Sequence, residues 1–165
     1  MCFTSDLIWK SLFLRINKIK MKKLIIMLIS IISIYSASAQ KYTDQYIKDA
    51  SIVAGSWLSN INNNQYDNAF KMLSNEVKVR YKQKTWINLI NELMLEFGEL
   101  ESRKTTEKKF QSEVEGMEDG FYVLIEYTSS YTNTIDHNEH ILLKQNDKIK
   151  WEIVDYNYEF KNKEK

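Results

Sequence analysis

Apolar residues recur at helical spacing in the first half of the chain beyond residue 43. Between Asp44 and Asn62 they occupy one helical face, which predicts an amphipathic helix. A short second helix is predicted over residues 67–73. A third is predicted to begin with Thr85 as its cap and to end at Gly98, because glycine adopts positive φ without steric cost. The inner faces of the first and third helices are formed by Ile47, Ala50, Ala54, Trp57, Leu58 and Ile61, and by Trp86, Leu89, Ile90, Leu93 and Phe97.

After Gly98 the period of the apolar pattern changes to two, which is typical of strands. Strands are predicted over residues 99–110, 121–131, 140–144 and 149–158, with a charged, frayed tail at 161–165. Helices followed by adjacent strands indicate an α+β domain in which the helices pack on a four-stranded antiparallel sheet. Trp57, Trp86 and Trp151 are expected in its core.

A separate apolar run precedes these elements. Lys22 and Lys23 lead into twelve largely apolar residues, 24–35, and then into small residues ending at Ala39. This order predicts a signal peptide over 21–39, cleaved between Ala39 and Gln40. The apolar run is shorter than the roughly 20 residues that span a bilayer, so no membrane anchor is expected after cleavage. Residues 1–20 are either the product of a misplaced start or an extended n-region, and 40–165 are predicted to be one periplasmic or secreted domain.

The composition of the chain argues against several classes of function. Six of the 23 basic residues and one of the 22 acidic residues precede residue 40, so residues 40–165 carry a net charge of about −4. No clustered basic patch appears among them, which argues against nucleic-acid binding. Cys2 is the only cysteine in the sequence. Disulfide chemistry, a thiol nucleophile and a lipid-modified cysteine after the cleavage site are therefore not expected.

Several short motifs occur in an order that resembles a known family. They are Trp57-Leu58, Tyr66, Trp86, Phe97-Gly98, Ser102-Arg103, Gly120-Phe121-Tyr122-Val123, Glu139, Lys150-Trp151 and Tyr156. Together they resemble, over residues 50–158, an exported bacterial family numbered four thousand and nineteen among the domains of unknown function. That family looks like a member of the nuclear transport factor 2-like, cystatin-like superfamily. The resemblance implies a curved sheet wrapped around N-terminal helices as a cone with a pocket at its mouth. Asp155 stands where the family usually has glycine.

Two charged residues, Arg103 and Glu139, match the family's motifs and are expected in the sheet, near the ends of strands. They are interpreted either as an ion pair joining the first and third strands or as an anion-binding arginine oriented by a carboxylate. Arg103 and Tyr127 are the predicted polar anchors of a ligand, and Glu139 and Tyr156 are further candidates. An apolar cavity with a few polar anchors is the usual form of a small-molecule site.

Metal binding and catalysis in a pocket are alternative interpretations of residues in the same region. Asp136, His137, Glu139 and His140 form an alternative metal-ligand set, although strand alternation would separate side chains three positions apart. A pocket enzyme of the hydratase or isomerase type, implied by the superfamily, would rely on Tyr127 or Tyr156 with Glu126 or Asp155. No acid–base pair stands out, and no catalytic residue or cofactor is predicted.

The sequence therefore predicts an exported, non-enzymatic domain that binds a small molecule or a protein partner. A structural or inhibitory module remains an alternative. Apolar side chains on both faces of residues 121–127, with Tyr122 and Leu124 opposite Val123 and Ile125, suggest a second covered face, which a homodimer would supply.

Overall fold

A computed structural model describes residues 41–163 of the protein, and from residue 43 onward the described elements belong to one compact unit. The predicted signal peptide, its cleavage position between Ala39 and Gln40 and the leader at 1–20 lie outside the described residues. Four helices precede four strands: α1 (residues 41–62), α2 (Tyr66–Lys71), α3 (Asn75–Arg80), α4 (Gln83–Phe97), β1 (Leu100–Gln111), β2 (Tyr122–Tyr131), β3 (Thr134–Gln145) and β4 (Trp151–Asn162). None of the described helices is long and apolar enough to cross a membrane.

The strands form one open antiparallel sheet in the order β1-β2-β3-β4. Each strand pairs with its neighbour in sequence, because antiparallel strands need only short connections. The predicted α+β class with four antiparallel strands is confirmed. The helices cover the face that carries Val123, Ile125, Ile141, Leu143 and Ile153, all of which are buried.

Helix α1 lies on this face through the residues that the helical spacing predicted. Ala50 and Ala54 are completely buried, and Trp57, Leu58 and Ile61 follow them on the same face. The two alanines lack bulky side chains, so this part of the helix backbone can approach its neighbours closely. Trp86 and Trp151 are also buried, which confirms the three tryptophans as core residues.

Helix α3 was not predicted, since none of its residues is buried and no apolar period marks it. Its signal is Ser74, whose hydroxyl accepts a hydrogen bond from the N–H of Val77 at 3.3 Å. The N–H of Ser74 also donates to the carbonyl of Ile153 at 2.8 Å, and the N–H of Ile153 donates to the carbonyl of Met72 at 3.0 Å. This short parallel bridge fixes the start of α3 against the outer edge of β4.

Helix α4 begins earlier than predicted. Lys82 occupies the N-cap position and Thr85 lies within the first turn, so the predicted Thr85 cap is wrong. Gly98 ends the helix as predicted, with φ 82° and ψ −157°. A Cβ at this position would lie 2.0 Å from Oγ1 of Thr132, so both the backbone conformation and the close approach of the β2–β3 turn require glycine.

Strands β3 and β4 are longer than the sequence indicated. β3 begins at Thr134 rather than at residue 140, and β4 continues to Asn162 rather than ending at 158. The polar composition of 134–140 hides the alternation, because Thr134, His137 and Glu139 are buried although they are polar. The predicted frayed tail is corrected as well, since Lys161 pairs with Ile135 inside the sheet.

Candidate functional site

The inner face of the sheet carries a polar cluster, formed by Arg103 of β1, Ser129 and Tyr131 of β2, and Glu139 of β3. The register places Arg103 opposite Ser129 and Tyr127 opposite Glu139. Arg103 reaches Glu139 with two hydrogen bonds, from Nε to Oε2 at 2.9 Å and from Nη2 to Oε1 at 3.1 Å. The predicted ion pair between the first and third strands is confirmed.

Further hydrogen bonds close this polar cluster. The hydroxyl of Tyr131 donates to Oε1 of Glu139 at 2.6 Å and accepts from Nη2 of Arg103. Nε of Arg103 also lies 3.1 Å from Oγ of Ser129. A carboxylate that accepts from both an arginine and a tyrosine is well satisfied, and charge-assisted pairs of this kind are the stronger ones.

Burial governs the electrostatics of the cluster. The side chain of Glu139 is fully buried and that of Arg103 is 11% exposed. Burial lowers the pKa of Arg103, but Glu139, Tyr131 and Tyr156 together outweigh this effect and the pKa is raised overall. Burial also raises the pKa of Tyr131, to which the charge of Glu139 adds. Arg103 therefore stays charged and Tyr131 stays a hydrogen-bond donor at neutral pH.

Arg103 and Tyr127, the predicted polar anchors, line one shallow cleft between α1 and the sheet, which we call the α1 cleft. Its volume is about 320 Å³, and its wall on α1 includes Gly55, Ser59 and Asn62. The guanidinium lies 6.0 Å from the ring centroid of Tyr127. The positive charge of the guanidinium is compensated by the carboxylate of Glu139. Arg103 therefore adds little uncompensated charge to the α1 cleft.

Tyr156, the remaining tyrosine candidate, lines a different cavity, the β4 cleft, between α3, α4 and strand β4. Its volume is about 470 Å³. Buried residues form its floor and exposed residues form its rim. The floor includes Trp57, Leu73, Trp86, Ile90 and Ile153, and the rim includes Arg80, Tyr81, Leu89, Glu92, Glu96 and Asp155.

Aromatic rings dominate the β4 cleft. The ring of Trp57 meets that of Tyr156 edge-on at 5.1 Å, and Tyr156 is tilted against Tyr158 at 5.6 Å. Burial raises the pKa of Tyr156 well above its ordinary value. Burial also raises the pKa of Tyr158, and the negative charge of Glu96 adds to this effect. Both phenols are therefore neutral in the physiological range.

Trp57, a residue of the floor, carries one polar atom without a partner. Its indole N–H is buried and makes no hydrogen bond to any of the described residues. A buried donor left without an acceptor costs about 1–3 kcal/mol.

Strand β4 is irregular beside the β4 cleft. Leu143 pairs with Ile153 but Leu142 pairs with Asp155, so Val154 is an extra residue in a β-bulge. Bulges change the direction of the adjacent side chains. The irregularity lies directly before Asp155, and both Val154 and Asp155 line the cleft.

The alternative metal set is not brought together. Asp136 pairs with Lys161 at 3.1 Å, and Nδ1 of His140 lies 3.3 Å from Glu126 on the other face of the sheet. His137 is buried among aromatic rings, including Phe97 at 4.4 Å, and its Nε2 contacts the hydroxyl of Thr134. Within the described residues no group of three or more metal-ligating side chains converges.

Tyr122, one of the residues behind the homodimer prediction, is covered by the chain itself. It is 1% exposed, and its hydroxyl donates to the carbonyl of Glu118 at 2.6 Å. The ammonium of Lys144 lies 5.7 Å from its ring centroid. The burial of Tyr122 thus needs no second copy, and the homodimer stays a prediction.

The rim of the β4 cleft was missed by sequence reasoning. Arg80 and Tyr81 belong to or follow the unpredicted α3, and the exposed Glu92 and Glu96 look like ordinary solvated positions of α4. Only the tertiary packing of α3 and α4 beside β4 gathers these residues. No local signal could have identified them.

These elements define a small α+β domain with one open antiparallel sheet and clefts on its helical side, among them the α1 cleft and the β4 cleft. The family model described as "Protein of unknown function (DUF4019)" matches residues 53–156, and the chain belongs to this family. The matched range includes Arg103, Glu139 and Tyr156. Neither a curated protein nor a solved structure matches the chain.

Proposed function

We propose that this domain is a non-enzymatic binding protein that holds a small molecule in the β4 cleft. The observation that carries the proposal is the aromatic cleft itself, in which buried tryptophan and aliphatic side chains form the floor and exposed charged side chains form the rim. The volume of about 470 Å³ lies within the usual range for small-molecule sites, about 300–1,000 Å³, and such sites combine apolar walls with few polar groups.

The state of the polar cluster supports binding over catalysis. A general base must reach its substrate, whereas the carboxylate of Glu139 is fully buried and is held by Arg103 and Tyr131. The carboxylate and tyrosine that do converge are thus closed to a substrate. A hydratase or isomerase would need a different pair.

The proposal extends to the setting of the domain. We take residues 40–165 as a single domain of the nuclear transport factor 2-like type, with the helices inside a curved sheet and the β4 cleft as its pocket. The signal pattern at 21–39 supports action in the periplasm or outside the cell. Mass spectrometry of the exported protein should find Gln40 at the N-terminus, and retention of Met1 or Met21 would contradict export by cleavage.

A neutral apolar dye, N-phenyl-1-naphthylamine, tests the β4 cleft directly. Its fluorescence should rise on saturable binding to the purified protein. Leu89 on the rim is 50% exposed, and Leu95 on the same helix is 70% exposed but lies outside this cleft. Leu89→Arg should weaken dye binding several-fold and Leu95→Arg should leave it unchanged. Non-saturable binding, or an equal loss in both variants, would refute the proposal.

A further inference from the structure

The rim of the β4 cleft is acidic. Glu92 and Glu96 lie one turn apart on α4, and Asp155 lies on β4. Arg80 is the cation among the residues that line the same cleft. Three carboxylates against one guanidinium leave an excess of two negative charges beside the aromatic walls.

The charged side chains of the rim have no partners among the described residues. Among residues 41–163, no hydrogen bond or ion pair engages the side chain of Glu92, Glu96 or Asp155, or that of Arg80. Glu96 lies close enough to the neighbouring Tyr158 for its negative charge to raise the pKa of that phenol. The negative potential of the rim is therefore available to a ligand.

Aromatic faces and carboxylates together select a particular ligand chemistry. A cation over the face of tryptophan or tyrosine is attracted by the ring, and the attraction strengthens as the cation loses water. The β4 cleft offers tryptophan and tyrosine rings near the unpaired carboxylates, and an anion would meet net repulsion there.

We infer that the β4 cleft binds an organic cation, a small molecule with an aromatic or aliphatic body and a protonated amine at the rim. This inference rests on the proposed function and adds the charge of the ligand. The ammonium group lies between Glu92, Glu96 and Asp155, and the body of the molecule packs against the aromatic walls.

Three probes that differ in charge but share a phenol test the inference. Tyramine carries an ammonium, tyrosol carries a neutral hydroxyl, and 4-hydroxyphenylacetate carries a carboxylate. Calorimetric titration of the purified protein should show tyramine binding about tenfold more tightly than tyrosol, with the carboxylate weakest. Higher ionic strength should reduce the preference, because the rim is open to solvent and salt screens its charges.

Variants of the rim locate the effect. Glu92→Gln, Glu96→Gln and Asp155→Asn should each reduce the preference for tyramine over tyrosol while leaving tyrosol binding nearly unchanged. Glu159→Gln is the matched control, since Glu159 is an exposed carboxylate of β4 outside the lining of the cleft. It should change neither affinity.

The results of these experiments distinguish a failure of the organic-cation inference from a failure of the proposed function. Equal binding of the three probes, tighter binding of the carboxylate, or no tyramine binding overturns the organic cation even where the neutral dye binds the cleft. A preference for tyramine that survives all three rim substitutions also overturns it, because the cation would then bind elsewhere. Failure of the dye in the Leu89 and Leu95 experiment refutes the proposed function itself.

Discussion

The polar cluster and the β4 cleft both combine charged groups with tyrosines, but they use them in opposite ways. In the polar cluster, Glu139 is fully buried and receives hydrogen bonds from Arg103 and Tyr131. In the β4 cleft, Glu92 and Glu96 are exposed and have no partner among the described residues. One region satisfies its polar groups internally, whereas the other leaves them to be satisfied from outside.

The difference between the two regions predicts which substitutions should affect stability and which should affect binding. Removing one partner of a buried pair leaves an uncompensated charge, which is strongly unfavourable. Removing an exposed carboxylate from the rim leaves nothing buried, so the folded state should tolerate it. Substitutions in the two regions should therefore separate loss of stability from loss of binding.

The largest effect is expected in the polar cluster. Arg103→Ala and Glu139→Ala should each lower the free energy of unfolding by about 3–5 kcal/mol. The double variant should cost less than the sum, because the two side chains contact each other. Urea unfolding measures all four forms of the cycle. Strict additivity would mean that the two residues do not interact in solution.

An exposed ion pair provides the control for that experiment. Asp136 and Lys161 lie 3.1 Å apart with side chains 61% and 75% exposed. Exposed pairs contribute about 0–1 kcal/mol, so Lys161→Ala should have a small effect. A loss as large as that of Glu139→Ala would remove the distinction between buried and exposed charges.

A smaller effect is expected from His137, which lies beside the polar cluster. Burial lowers the pKa of His137, so between its folded pKa and the unfolded value of about 6.5 the unfolded chain binds more protons. The free energy of unfolding should fall as the pH drops below about 6.5, by at most about 1.4 kcal/mol per pH unit. The loss should stop once the pH is below the folded pKa.

Unfolding curves between neutral and mildly acidic pH check this prediction. His137→Gln should remove the part of the acid sensitivity that the buried imidazole causes. His140→Gln should retain it, because His140 lies on the other face of the sheet and pairs with Glu126. Equal acid sensitivity in the native protein and His137→Gln would show that His137 is not the responsible group.

The residues of the polar cluster were partly predictable from the sequence, but their surroundings were not. Arg103 and Glu139 stood out as charges expected in the sheet near the ends of strands, and helix α1 and strand β2 followed from their apolar periods. The start of β3 was missed because its buried residues, Thr134 and His137, are polar and find partners only in the folded sheet. Polar burial leaves no periodic signal in the sequence.

The β4 cleft lay beyond sequence reasoning for a different reason. Glu96 and Asp155 come from a helix and a strand far apart in the chain, and only their packing beside α3 makes them neighbours across one cleft. Tyr156 was a candidate, but nothing local related it to Trp57, whose ring it meets at 5.1 Å. Long-range packing creates this site, and periodicity reports only on single elements.

The smallest effect on stability, and the sharpest separation of the two regions, is expected at the rim. Glu92 and Glu96 are like charges four residues apart on α4, an arrangement that destabilises a helix by about 0.2–0.5 kcal/mol. Glu96 also lies in the last turn of α4, where a negative charge opposes the helix dipole. Glu96→Gln should therefore raise the free energy of unfolding by about 0.5 kcal/mol while it weakens the binding of tyramine. Urea unfolding and calorimetry on the same preparation measure both quantities. A loss of stability in Glu96→Gln would mean that this carboxylate supports the fold, and the contrast between a self-satisfied cluster and a rim kept for a ligand would fail.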